Sequence, residues 1–115
     1  MNGADYDSLV AETMTEKKLQ DLVGRLARAH GWHVFHVTWS PGTTPGWPDC
    51  VLVHPGQGRT LFRELKTARG RLSTRQREWL DVLTRAGHDA GVWTTHDLTD
   101  GTIAAELTTL TRTGK

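Results

Sequence analysis

The chain has almost no cysteine: Cys50 stands alone, which excludes an internal disulfide and leads to the expectation of a reducing compartment. It has no apolar run near the ~20 residues of a membrane span, and Met1 to Val10 carries acids where a secretory leader carries Lys or Arg. The expected setting is therefore the cytoplasm, with no membrane partner. Charge of one sign is also lacking, since the formal net charge is only +1. What is present, 37% hydrophobic and 23% charged residues in 115, suits one globular domain with one modest core and leaves no room for a second. Cations are unevenly spread. Arg59, Arg63, Lys66, Arg69, Arg71, Arg75, Arg77 and Arg85 face only Glu64, Glu78 and Asp81 within the same stretch, a local +5. Such a run suits a polyanionic partner and equally suits a solvated helix face.

Residues 1–14 show no sustained periodicity and read as a loose, flexible N-terminal arm; residues 15–115 read as the single domain. Thr15 is a candidate N-cap for a helix carrying Leu19, Leu22, Val23 and Leu26 on one stripe and stopping before Gly31. Glu16 lies one turn before Leu19, either as a charge favoured by the helix dipole or as a carboxylate pointing inward. Strands are expected over 32–39, 49–54 and 60–66. The first two are separated by the linker Ser40 to Gly46, and the last two join in a hairpin through Pro55-Gly56-Gln57-Gly58. Alternation along the third strand puts Phe62, Glu64 and Lys66 on one face. Ser73 with Gln76 has capping-box spacing for a helix reaching about Ala86, so Gln76 is a capping partner or a polar group aimed at the sheet. A fourth strand over 91–95 and a short terminal helix over 102–111 complete the order. That order implies an α/β fold, an α/β/α sandwich on a small mixed central sheet.

Hydrolysis of a phosphodiester needs an activated water, neutralisation of developing charge and help for the leaving oxygen, all of which a divalent metal supplies. Mg²⁺ takes oxygen ligands and keeps several waters, so one or two carboxylates suffice to hold it. Asp49 starts one strand and Glu64 ends its hairpin partner, positions that antiparallel pairing brings together. Lys66 sits on the Glu64 face, about 7 Å further along.

Gly46-Trp47-Pro48-Asp49 followed by Glu64-Leu65-Lys66 resembles the Pro-Asp…Glu-x-Lys motif of the PD-(D/E)xK nuclease superfamily, whose fold is restriction-endonuclease-like. Thr15-Glu16, Gly31-Trp32, Gly70-Arg71-Leu72-Ser73 and Gln76 extend the resemblance, over roughly 15–95, to the virus-type replication-repair nuclease (VRR-NUC) branch. The resemblance implies that Asp49, Glu64 and the Leu65 main-chain carbonyl bind Mg²⁺, with Mn²⁺ able to substitute, and that Lys66 assists the water. Glu16 would be an additional acid at the site and a further metal ligand, and Gln76 would support it from the following helix. It further implies a structure-selective DNA endonuclease acting as a homodimer on branched DNA, in the manner of a Holliday-junction resolvase of phage or repair origin. The expected location is then a bacterial or phage-infected cell, with no small-molecule cofactor. Arg69, Arg71 and Arg75 are candidate phosphate contacts.

Three other readings bear on this. Geometry argues against a zinc site from His33, His36 and Cys50, because strand positions three apart face opposite sides and no second cysteine completes the set, and His33 or His36 is expected to be an ordinary strand residue or a phosphate contact. Of the five tryptophans, Trp79 and Trp93 fall on expected core faces, whereas Trp39 and Trp47 flank the linker and are candidates for DNA contact. A catalytically inactive DNA-binding module is the alternative class. The intact acid pair and lysine weigh against it, since a carboxylate pair held together is electrostatically costly unless a cation joins it.

Overall fold

The computed structural model describes residues 3–38 and 40–109. Its order is α1 (Gly3–Thr13), α2 (Glu16–Ala29), β1 (His33–His36), β2 (Cys50–His54), β3 (Arg59–Lys66), α3 (Thr74–Arg85), β4 (Asp89–Thr94), α4 (Thr95–Thr99) and α5 (Thr102–Thr108). The sheet runs β1-β2-β3-β4. β1/β2 and β2/β3 are antiparallel and β3/β4 parallel, with α3 as the crossover, so the sheet is mixed as expected.

One face of this sheet makes the core. Cys50, Leu52, Leu61, Leu65 and Trp93 are buried against Leu19, Val23 and Ala27 of α2 and Ile103 and Leu107 of α5. The α2 residues recur at four-residue spacing, so one helical stripe suffices to seal the sheet. Thr15 caps α2, its hydroxyl accepting from the Lys18 N–H at 3.1 Å. Trp32 closes the far end, its indole Nε1 donating to the Leu107 carbonyl at 3.0 Å. The opposite face carries α3 over β4, and Phe35 and Val53 stay exposed on β1 and β2. The hairpin turn is a short 3-10 segment, Pro55–Gln57, with Gly58 in the left-handed region at φ 63°.

Four expectations need correction. The residues read as a loose arm form α1, whose Ala11 is fully buried and whose Glu12 meets His96 of α4 at 2.9 Å. Neither α1 nor α4 has a strong apolar period, and they stabilise each other by contact. The fourth strand gives way to α4 at Thr95, because the Thr94 hydroxyl and the Asp97 carboxylate form a reciprocal capping box there. Arg63 does not belong to a basic surface: it is 5% exposed, pairs with Asp89 at 2.8 Å and Glu106 at 3.2 Å, and lies over the Trp93 ring at 5.0 Å. Glu16 is the fourth, and its place is given with the site. Trp39 and the end of the expected terminal helix lie outside the described residues.

Candidate active site

The segment entering β2 is held down by a glycine. Gly46 is buried at φ +88°, and a Cβ there would stand 2.5 Å from the carbonyl carbon and oxygen of Arg75 in the first turn of α3. Only glycine combines that backbone conformation with so close an approach. Trp47 then packs edge-on against Phe62 (6.0 Å between ring centroids) and Trp79 (5.0 Å), and Pro48 is fully buried. Trp47 is thus half-buried packing for the linker.

This path delivers Asp49 to the end of β3. Its main-chain carbonyl accepts from the Val37 N–H at 2.8 Å, and its Oδ2 accepts from the Leu65 N–H at 2.7 Å. β2 begins only at Cys50, opposite Arg63, so the Asp49 side chain takes the place of a ladder partner for Leu65. In an antiparallel pair, a residue's N–H and C=O point to the same neighbour. The Leu65 carbonyl is therefore turned toward the same side, beyond the end of the β2 ladder.

Glu64 projects from the face of β3 that meets α3, opposite the core residues Leu61 and Leu65 and on the Asp49 side. Asp49 and Glu64 are 6% and 2% exposed. Glu64 Oε2 accepts from Gln76 Nε2 at 2.8 Å and lies 3.5 Å from Lys66 Nζ. Gln76 is both of the things its spacing allowed: its Oε1 accepts from the Ser73 N–H at 2.8 Å, completing the capping box, while its amide nitrogen reaches the sheet. Glu64 Oε1 is buried and has no hydrogen-bond partner. Burial and the charge of Asp49 beside it push Glu64 up from 4.5 to about 8, with Lys66 offsetting part of the rise.

The structure thus gathers Asp49, Glu64, Lys66, Leu65 and Gln76. It does not gather Glu16, whose side chain is exposed at the start of α2 with no hydrogen bond or ion pair to the cluster. The dipole reading of Glu16 stands and the inward-pointing one does not. Arg69, Arg71, Arg75 and Arg77 are exposed on the loop and first turn that follow Lys66, with no ion pair among the described residues. Gly70 packs close, a Cβ there falling 3.2 Å from Lys66 Cδ, so this loop folds back over the lysine stem.

The donors fit a hard divalent cation. Two buried carboxylates, one with an orphaned oxygen, and a main-chain carbonyl at the end of a ladder form an oxygen set of the kind Mg²⁺ takes. Among the described residues no group of three or more His, Cys, Asp or Glu is placed to hold a metal, so the candidate donors at this site are the two carboxylates and the carbonyl. Cys50 is buried, and burial with the nearby Asp49 charge pushes its thiol up to about 12, so it stays protonated and inert.

A mixed four-stranded sheet carrying a buried acid pair and a lysine at the ends of its central strands defines a nuclease-type fold. The VRR-NUC domain model matches residues 5–97, most of the chain, and the chain belongs to that family. Two solved structures share the fold. One, a VRR-NUC domain, superposes with a TM-score of 0.65 at 20% identity, covering 77% of this chain and 94% of that one. The other, a VRR-NUC domain protein, gives 0.59 at 19%, covering 85% and 98%. No curated protein is similar enough to match.

Proposed function

We propose that the protein is a Mg²⁺-dependent endonuclease that hydrolyses DNA phosphodiesters at Asp49, Glu64 and Lys66. One observation carries this reading: two carboxylates are buried side by side, one with an orphaned oxygen and a strongly raised pKa. Such a pair is self-repelling unless a proton or a cation sits with it. Asp49, Glu64 and the Leu65 carbonyl would hold the ion, with Mn²⁺ as a substitute. When bound, it supplies positive charge to the scissile phosphate and eases deprotonation of the attacking water.

The chain's own residues do the rest. Gln76 fixes the Glu64 carboxylate by donating to Oε2, and the Leu65 N–H fixes Asp49. The Lys66 ammonium, 3.5 Å from Glu64, donates to the attacking water or to a phosphate oxygen and offsets charge as it develops. Arg69, Arg71 and Arg75 grip flanking phosphates, which positions DNA without reading its sequence. One site of this kind cuts one strand, so a symmetric four-way junction needs two sites related by a two-fold axis. The finer proposal is therefore a homodimeric, structure-selective enzyme for branched DNA, of the Holliday-junction resolvase kind, serving repair or a phage.

The test mixes the protein and Mg²⁺ with labelled duplex, flap and four-way-junction DNA. Cutting is expected to fall by roughly a hundredfold or more in both Asp49→Ala and Lys66→Ala, and to stop when EDTA removes the metal. Binding without cutting on every substrate would overturn the enzyme in favour of a DNA-binding module. Light scattering tests the assembly, and a monomer under cutting conditions would rule out paired junction cleavage.

A further inference from the structure

The acid pair leaves a neighbouring cleft unexplained. Thr44 and Pro45 of the linker face Arg75, Glu78, Trp79 and Val82 of α3 across a space of about 330 Å³. The four helix residues share one face, at spacings of three, four and seven. The volume falls at the small end of the roughly 300–1,000 Å³ that accommodates organic ligands. Its walls are apolar, formed by Pro45, Trp79 and Val82, and Val82 is 50% exposed on the outer side of α3. Its charged groups are the Arg75 guanidinium and the Glu78 carboxylate, both exposed and without ion pairs among the described residues.

Two contacts keep the cleft open and in place. Gly46 presses the linker onto the Arg75 main chain, and Trp47 props the edge of Trp79 at 5.0 Å. The cleft also adjoins the acid pair. Gln76, next to Arg75, holds Glu64, and Trp79 lies three residues further, about 4.5 Å of helical rise.

We propose that this cleft receives one unpaired nucleobase of the DNA strand, adjoining the phosphate held at Asp49 and Glu64. The base stacks on Trp79 against Pro45 and Val82, Arg75 meets its phosphate, and Glu78 accepts from an exocyclic amino group, as carboxylates do from cytosine N4. A cleft lying between linker and helix is entered by a base that has left its stack. A paired base, moreover, has both faces stacked and its amino group engaged. The cleft would thus give this site a preference for strands with unpaired nucleotides, as at flaps and junctions. This proposal rests on the nuclease reading for its choice of DNA as ligand.

The experiment measures binding of the full chain in EDTA by fluorescence anisotropy. The probes are a short labelled oligodeoxycytidylate, an oligodeoxythymidylate of equal length and an abasic strand of equal length. The wild type is expected to bind the cytosine strand roughly tenfold more tightly than the abasic one, with thymine between them. Val82→Trp fills the cleft from a half-exposed position and is expected to abolish the difference. Equal affinity for cytosine and abasic strands in the wild type, or discrimination that survives Val82→Trp, overturns the proposal. The nuclease reading fails separately. Base discrimination without Mg²⁺-dependent cutting on any DNA would leave the cleft standing and the enzyme not. Asp49-dependent cutting without base discrimination would do the reverse.

Discussion

Glu64 is the residue on which a proton and the proposed metal would compete. Its carboxyl titrates near 8 instead of 4.5 because burial and Asp49 both disfavour the ionised form. Between those values the folded chain keeps a proton that the unfolded chain has released. Stability of the metal-free protein must therefore fall as pH rises from about 5 to about 8, and level off above. The expected loss in Tm over that window is roughly 5 °C or more by calorimetry. Mg²⁺ added at pH 8 is expected to restore it, since the cation then does what the proton did. Glu64→Gln should flatten the pH dependence and remove the Mg²⁺ response together; a Tm that rises with pH in the metal-free protein would contradict this account. Gln76 is tied to the same carboxylate without being a candidate ligand. Gln76→Ala is expected to cut kcat by roughly tenfold or more while leaving KM little changed, as partners of metal-binding carboxylates do. It should also cost about 1 kcal/mol of stability through the lost half of the capping box.

Elements are positioned here by few contacts, and the linker is the clearest case. Gly46→Ala places a methyl group 2.5 Å from the Arg75 main chain at a φ of +88°, so both the linker and the first turn of α3 must shift. The expected destabilisation is roughly 2–4 kcal/mol, read from the denaturant midpoint, with a loss of cutting beyond what unfolding explains because Asp49 and Gln76 sit on the two displaced segments. The same contrast explains what the sequence made legible. α2 and α3 announced themselves through stripes of apolar residues and through Thr15 and Ser73, whose caps depend on neighbours three residues away. The hairpin and the face shared by Glu64 and Lys66 follow from period-two alternation. α1 and α4 were not legible, because Ala11 and the Glu12–His96 pair gain their meaning only from residues more than eighty positions apart. Arg63 misled for the same reason: its partners Asp89 and Glu106 are brought to it by the parallel β4 and by α5, not by anything local. Within the site, the Asp49 and Glu64 pairing was legible from strand order. The hydrogen bond from Leu65 to Asp49, which replaces a ladder partner, needed the register in which β2 stops at Cys50.

At the scale of the molecule, a net charge of +1 conceals a directed field. Of the eight cations between Arg59 and Arg85, Arg63 is buried in its own ion pairs, Arg85 pairs with Asp81 at 3.2 Å, and Arg59 is spent on the Gln57 side chain, the Thr109 carbonyl and the Trp32 ring. What remains exposed and unpaired among the described residues follows Lys66 directly: Arg69, Arg71, Arg75 and Arg77. Positive charge from this stretch is therefore gathered on the lip of the acid pair, where a phosphate backbone would have to lie. DNA affinity should then behave as a small number of phosphate contacts rather than as a general polycation. If three arginines each neutralise one phosphate, the log of the binding constant should fall against log salt with a slope of about −3 for duplex DNA. Arg71→Ala should reduce the steepness by about one and weaken binding equally across sequences. Arg85→Ala, which removes a cation already paired on the far end of α3, should leave the slope unchanged. A slope that responds equally to both substitutions would mean that the whole basic stretch contacts DNA and that the lip of the site has no special part in holding it.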